Sequence, residues 1–232
     1  MDWRENAKKR AAAHAVRHVE EGFVVGLGSG TTVAYALQEL GKRIREENLC
    51  ICGVPTSSQA FLLAVQNNIL VTTLDEHPLL NLTIDGADQV DEKLNTIKGM
   101  GGALTREKIV ASASKVNIIV ADETKLVKIL GDSQSVPIEV LPFAVSPVVA
   151  NLKKMGGAPT LREAKKKLGP VVTDNGNFIL DVNFGPIEDP AGLSQTLKGV
   201  PGIVETGLFV GMADIVYVGG KETVRRLGSK AE

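Results

Sequence analysis

Cysteine is nearly absent from the chain. Cys50 and Cys52 are its only two cysteines and lie two apart in one short apolar run. That spacing gives neither a disulfide framework nor a zinc site, and it fits a reducing interior. Long hydrophobic runs are missing too, so nothing reaches membrane-spanning length. The opening segment MDWRENAKKRAAAHAV lacks the apolar stretch of a secretory signal. Charge of one sign is not in excess: 26 basic residues against 27 acidic ones leave a net charge of −1. This argues against nucleic acid as the main partner, and any bound anion must be captured by a local pocket. Together these absences predict a cytoplasmic protein with no membrane partner.

What is present is ordinary in amount, with 44% apolar and 23% charged residues among 232. That length suffices for one large domain or two modest ones with a real core. Apolar periodicity predicts a helix over 5–20, then a strand in FVVGLGSG, then a helix in TTVAYALQELG with Gly41 as its C-cap. Strands follow in CICGVP, ILVTT, NLTIDG, NTIKGM and KVNIIVADE, with helices in SSQAFLLAVQNN and TREKIVASAS. Short apolar strands alternating with helices predict a parallel sheet covered on both faces. After about Gly131 the rhythm changes. VPIEVLPF, APTLREA and GIVETGLF read as strands, SPVVANLKKMGG and DPAGLSQTLKGV as helices, and PVVTDNGNFILDVNF as a hairpin turning at Asn175-Gly176. This order suits a small α+β domain of the split βαβ kind. ADIVYVGG returns to the first sheet, which makes the small domain an insertion.

Open parallel sheets bind ligands beyond the carboxyl ends of their strands. Four polar clusters fall at such ends: GSGTT (28–32), DGAD (85–88), KGMGG (98–102) and DETK (122–125). In the first, Gly28 and Gly30 stand beside the hydroxyls of Ser29, Thr31 and Thr32 just ahead of a helix, a setting that favours phosphate. A strand-to-helix turn alone would also need glycine. The segment is no P-loop, and Thr31 stands where the third glycine of a dinucleotide fingerprint belongs. Asp85 and Asp88 suit sugar hydroxyls or proton transfer, or simply a turn. Glu107, in the first turn of its helix, is stabilised by the helix dipole whatever its role. The glycines before it let backbone amides approach a ligand closely, and a glutamate held over such a floor can act as a base. Lys98 and Lys125 fall at strand ends and read either as surface charges or as ligand contacts. His14 and His18 are four apart on a helix but lack both a glutamate between them and a third ligand, so they read as structural.

Taken in order, GLGSGTT, IDGADQVD, KGMGGALTREKI, ADETK and VVTDNGNFILDV resemble ribose-5-phosphate isomerase of the A type over nearly the whole chain. The resemblance implies an α/β fold, a Rossmann-like parallel-sheet main domain (1–131 and 207–232) with an inserted small α+β, ferredoxin-like domain (132–206). It implies interconversion of ribose 5-phosphate and ribulose 5-phosphate in the pentose phosphate pathway, without metal or nucleotide cofactor, by a homodimer or homotetramer. Glu107 corresponds to the catalytic base, Asp85 and Asp88 to the acidic pair, and Lys98 to the active-site lysine. Donors to the enediolate would be Lys98 and the amides of residues 99–102. Substrate contacts fall on Ser29, Gly30, Thr31, Thr32, Asp85, Gly86, Ala87, Asp88, Lys98, Gly99, Met100, Gly101, Lys125 and Lys8. Met100 departs from the pattern, standing where many members have a third consecutive glycine, and could narrow the loop. Two other readings stay open. A non-catalytic sugar-phosphate sensor would not need Glu107 or Lys98, and a nucleotide-dependent oxidoreductase is disfavoured by the missing third glycine.

Overall fold

The computed structural model describes residues 2–228. From the start the chain runs α1 (Trp3–Val16), β1 (Val24–Leu27), α2 (Thr31–Glu47), β2 (Cys52–Pro55), α3 (Ser58–Gln66) and β3 (Leu70–Val71). Then come β4 (Leu82–Gly86), β5 (Gln89–Val90), β6 (Thr96–Ile97), α4 (Leu104–Ser112) and β7 (Asn117–Asp122). The next stretch holds β8 (Val136–Val140), α5 (Val145–Lys154), β9 (Ala158–Leu161), β10 (Phe178–Asn183), α6 (Pro190–Lys198) and β11 (Ile203–Thr206). The last strands are β12 (Leu208–Phe209), β13 (Ile215–Gly219) and β14 (Val224–Leu227). Among the described residues no helix is long and apolar enough to cross a membrane.

Two compact units emerge. The first comprises the residues up to Ala87, Arg106–Leu126 and those from Gly211 on; the second comprises Asp88–Thr105 and Val127–Val210. The chain thus passes between units four times, where the sequence pattern suggested one insertion. The reason lies in β6. It pairs with β12, and Ile97 packs into the second unit's core beside Leu130, Ile138 and Leu208.

The first unit is a seven-stranded sheet in the order β14-β13-β7-β4-β1-β2-β3, parallel except for β14 at one edge. Its strands bury side chains on both faces, as helix-covered parallel strands must. Val25, Leu27, Ile84, Ile118 and Val120 join Ala11, Ala15, Val33, Leu37 and Leu40 of α1 and α2 in one core. Each fully buried leucine contributes about 1.5–3 kcal/mol. The alternate residues Gly26 and Thr83 face Val110 of α4 instead. The predicted C-cap at Gly41 is not observed: α2 continues to Glu47 and is closed by Asn48 in the left-handed conformation. Gly41 is needed for a different reason, since a Cβ there would lie 2.5 Å from the Asn67 carbonyl oxygen. Cys52 begins β2, while Cys50 lies just outside it.

In the second unit β8-α5-β9-β10-α6-β11 forms an antiparallel sheet ordered β11-β8-β10-β9. This is the ferredoxin-like arrangement. Val148 and Leu152 of α5 and Leu197 of α6 fill its core. A small sheet, β12-β6-β5, completes the unit. The expected hairpin at Asn175-Gly176 keeps its turn, with Gly176 at φ +80° and the Thr173 amide bonded to the Asn177 carbonyl. Its first arm is not a strand, because β10 pairs with β8 and β9 and leaves Val172 a single bridge to Phe178. The predicted strand GIVETGLF is divided at Gly207, where a Cβ would lie 2.3 Å from the Lys98 carbonyl oxygen, and its halves join different sheets.

Candidate active site

Strand order in the seven-stranded sheet reverses between β1 and β4, with β2 and β3 to one side and β7 and β13 to the other. Ligands of open α/β sheets gather at such a switch point. Leu27 is level with Ile84, so Gly28 and Asp85 follow side by side. A Cβ on Gly28 would lie 2.2 Å from Asp85 Oδ1 and 2.6 Å from its Cα, so only hydrogen fits. Asp85 is 3% exposed, and its Oδ1 accepts the amides of Ser29 (3.1 Å) and Gly86 (2.7 Å). Ala87 follows, half-buried, as the last residue of its stretch of the first unit.

The chain then enters α2 through Gly30, at φ +103°, and no side chain caps this helix. The first amides of α2, the positive end of its dipole, are therefore left for water or an anion. Ser29 Oγ lies 2.8 Å from Thr56 Oγ1 and 2.6 Å from Ser57 Oγ, so three hydroxyls cluster at this turn. Thr31 is exposed and Thr32 half-buried. Lys8 reaches over from α1, its Nζ 3.4 Å from Thr31 Oγ1 and 3.2 Å from Glu5 Oε1. The Glu5 carboxylate, which also accepts the Tyr35 hydroxyl, is held below its ordinary range, first by Tyr35 and then by Lys8.

Glu107 is 4% exposed. The C-terminal end of α4 lies at the amino edge of the sheet, where Leu80 and Ala113 share a hydrogen bond, so its N-terminus points to the carboxyl edge. Val110 marks the level of α4 on the sheet: a Cβ on Gly26 would lie 2.6 Å from Val110 Cγ1. Glu107 is one turn earlier on the same face, about 4.5 Å nearer the carboxyl edge. Gly28 lies about 6.6 Å beyond Gly26 along β1. Glu107 therefore stands near the level of Gly28 and Asp85. Lys125 leaves β7, the neighbour of β4, in a single turn capped by Asp122. His14 and His18 both face Tyr217, whose hydroxyl lies 2.7 Å from His18 Nε2.

The second unit holds the other predicted residues. Asp88 donates its amide to the Ile97 carbonyl and accepts the Met100 amide at 3.0 Å through Oδ2. Lys98 is 3% exposed; its amide bonds the Gly207 carbonyl, and its ammonium lies 5.3 Å from the centre of the Phe209 ring. Gly99, at φ +103°, would bring a Cβ to 2.8 Å from Leu104 Cβ. The Gly102 amide donates to the Gly99 carbonyl. Of the four amides expected as ligand donors, those of Met100 and Gly102 are thus engaged within the loop, leaving Gly99 and Gly101. Met100 does not fill the loop: the residue is 42% exposed, with Sδ 3.0 Å from Gln134 Nε2.

Sequence reasoning missed five contributors. Arg162 donates to the carbonyls of Gly99 and Met100, both at 3.0 Å, while its Nε holds Asp181 at 2.7 Å. Phe209 lies under Lys98, and Thr56 and Ser57 back the Ser29 turn. The fifth, Glu139, is fully buried in β8. Its signal was available in VPIEVLPF, one acid inside an apolar strand, since a charge is buried only where donors await it.

The profile of the ribose 5-phosphate isomerase A (phosphoriboisomerase A) family matches residues 52–223. The ribose-5-phosphate isomerase A of Methanosarcina acetivorans is 52% identical over 219 residues, covering 94% of this chain and 92% of that protein. That of Methanothermobacter thermautotrophicus is 49% identical, covering 96% and 97%. Among solved structures, ribose 5-phosphate isomerase A from Methanocaldococcus jannaschii superposes with a TM-score of 0.94 at 45% identity, covering 97% of this chain and 99% of that one. A D-ribose-5-phosphate isomerase in complex with phospho-erythronic acid superposes with a TM-score of 0.96 at 43% identity, covering 99% and 100%.

Proposed function

The chain belongs to the ribose 5-phosphate isomerase A family, and we propose that it interconverts D-ribose 5-phosphate and D-ribulose 5-phosphate through a cis-enediolate, with Glu107 as the base. The observation that carries this is internal to the first unit. Glu107 is a buried carboxylate one turn before Val110, which packs against Gly26 of β1, and the same strand leads past Asp85 into an uncapped helix start supplied with hydroxyls and Lys8.

The chemistry follows from what an aldose–ketose shift needs. A proton on the carbon next to a carbonyl is weakly acidic, so a base must take it while something stabilises the developing oxyanion. Glu107 takes the C2 proton of the open-chain sugar and returns it to C1. A positioned base supplies about 10²–10⁴ in rate. Lys98 and the amides of Gly99 and Gly101 are assigned to the enediolate oxygens, where fixed donors supply a comparable share. Asp85 assists ring opening or moves the hydroxyl proton. Asp88, whose carboxylate already holds the Met100 amide, shapes the glycine loop. Ser29, Thr31, Thr32 and the first amides of α2 take the phosphate, with Lys8 and Lys125 as cationic contacts. Phospho-erythronic acid, bound in a relative 43% identical, pairs a phosphate with a carboxylate that resembles the charged face of an enediolate. The same reading expects a cytoplasmic homodimer or homotetramer in the non-oxidative pentose phosphate branch, which light scattering on the purified chain tests in part.

The decisive test is turnover of ribose 5-phosphate with EDTA present and no cofactor added. Glu107→Gln is expected to lose about 10³-fold or more in kcat while still binding the sugar phosphate. A variant that keeps near-parental turnover rejects Glu107 as base. A parent that binds ribose 5-phosphate without converting it favours the non-catalytic sensor.

A further inference from the structure

Glu139 sits in β8 between Ile138 and Val140 with no exposure to solvent. Its Oε2 accepts the Thr105 hydroxyl at 2.5 Å. Its Oε1 accepts the Thr173 hydroxyl at 2.9 Å and the side-chain amides of Asn177 at 2.8 Å and Asn175 at 3.1 Å. A strand that only had to fill a core would carry valine or isoleucine here, since burying a charge is costly without such donors. Three donors come from one turn, Thr173–Asn177. The fourth is the second residue of α4. The carboxylate therefore ties that turn to the start of the helix.

Thr105 and Glu107 are two residues apart, roughly 200° around the helix, so Glu139 grips the side of the first turn away from Glu107. A hydrogen bond there fixes the roll of the turn. With the Glu107 carboxylate about 6 Å from the helix axis, a roll of about 10° displaces it by about 1 Å. A misplacement of that size costs about 10²-fold in rate.

We propose that Glu139 is a positioning residue: through Thr105 it sets the roll of α4 and hence the aim of Glu107, with the Thr173–Asn177 turn as its anchor. The assignment rests on Glu107 being the base. Replacing Glu139 itself strands four donors and endangers folding, so the test removes one donor at a time. Thr105→Val is expected to lower kcat about tenfold with KM for ribose 5-phosphate within about twofold, because aim and not binding is lost. Thr105→Ser restores the hydroxyl and most of the rate. The primary isotope effect on C2-deuterated substrate rises in Thr105→Val as proton transfer becomes slower. Thr173→Val deletes one of three donors on the anchor side; it lowers the melting temperature comparably, and because Asn175 and Asn177 still hold Oε1 it lowers kcat by less than Thr105→Val does. An unchanged kcat in Thr105→Val, or an equal fall in Thr105→Val and Thr173→Val, overturns the proposal while an inactive Glu107→Gln leaves the base assignment standing. A Glu107→Gln variant that still turns over removes both.

Discussion

Asp85 in the first unit and Glu139 in the second are both carboxylates withdrawn from water, 3% and 0% exposed, yet they are held by opposite means. Asp85 accepts backbone amides, those of Ser29 and Gly86, at a strand end cleared by Gly28. Glu139 accepts four neutral side chains drawn from a helix start and a distant turn. A backbone cradle is made by the path of the chain, so it tolerates side-chain changes nearby and fails when that path is forced to move. A side-chain cradle is assembled from parts that can each be removed, and it fails by degrees. The first suits a group that must meet a substrate in one geometry; the second suits a group that ties segments together.

The comparison breaks most sharply at Gly28. In Gly28→Ala the new methyl would lie 2.2 Å from Asp85 Oδ1 and 2.6 Å from backbone, so a strand end must shift. The expected result is a loss of more than about 10² in kcat/KM for ribose 5-phosphate, with a lowered melting temperature. An alanine variant within about threefold of the parent in kcat/KM would show that Gly28 does not set the place of Asp85. The side-chain cradle should answer in stability. Glu139→Ala leaves a cavity and strands the donors that met the carboxylate, and is expected to cost about 3–5 kcal/mol. For a chain of this size that is roughly a 10 °C fall in melting temperature. A cost under about 1 kcal/mol would mean that water enters and satisfies the donors, and that burial of the carboxylate is incidental.

The same contrast explains what could be read from the residues alone. Backbone cradles need glycines and fall at strand ends, so Gly28, Asp85 and the 98–102 loop stand out as local patterns. The alternation of strands and helices likewise exposed the parallel sheet and the ferredoxin-like unit. Partners brought together by tertiary packing leave no such local mark. Arg162 lies more than sixty positions from the carbonyls it holds, and Glu139 more than thirty from Thr105. The membership of 88–105 in the second unit was hidden for the same reason: the pairing of β6 with β12 and the packing of Ile97 reveal it. Gly41 misled because glycine marks both helix ends and close helix approaches, and here the approach of Asn67 decides.

His14 sharpens the comparison from the side of a cation. It has lost part of its hydration without acquiring a counter-charge, and burial, followed by repulsion from Arg17 one turn on, lowers its pKa from the ordinary 6.5. The folded chain therefore binds a proton at His14 less readily than the unfolded chain does. The stability tied to this group is complete above about pH 6.5 and is lost as pH falls through the lower folded value. His14→Gln removes that dependence. Between about pH 7.5 and about pH 5.5 the melting temperature of the parent should fall more than that of the variant, by a small margin because His14 is partly exposed. Melts across that range decide it. If the parent instead gains on the variant as pH falls, the imidazolium finds a partner in the folded chain, and His14 belongs with Asp85 and Glu139 as a charge that is held.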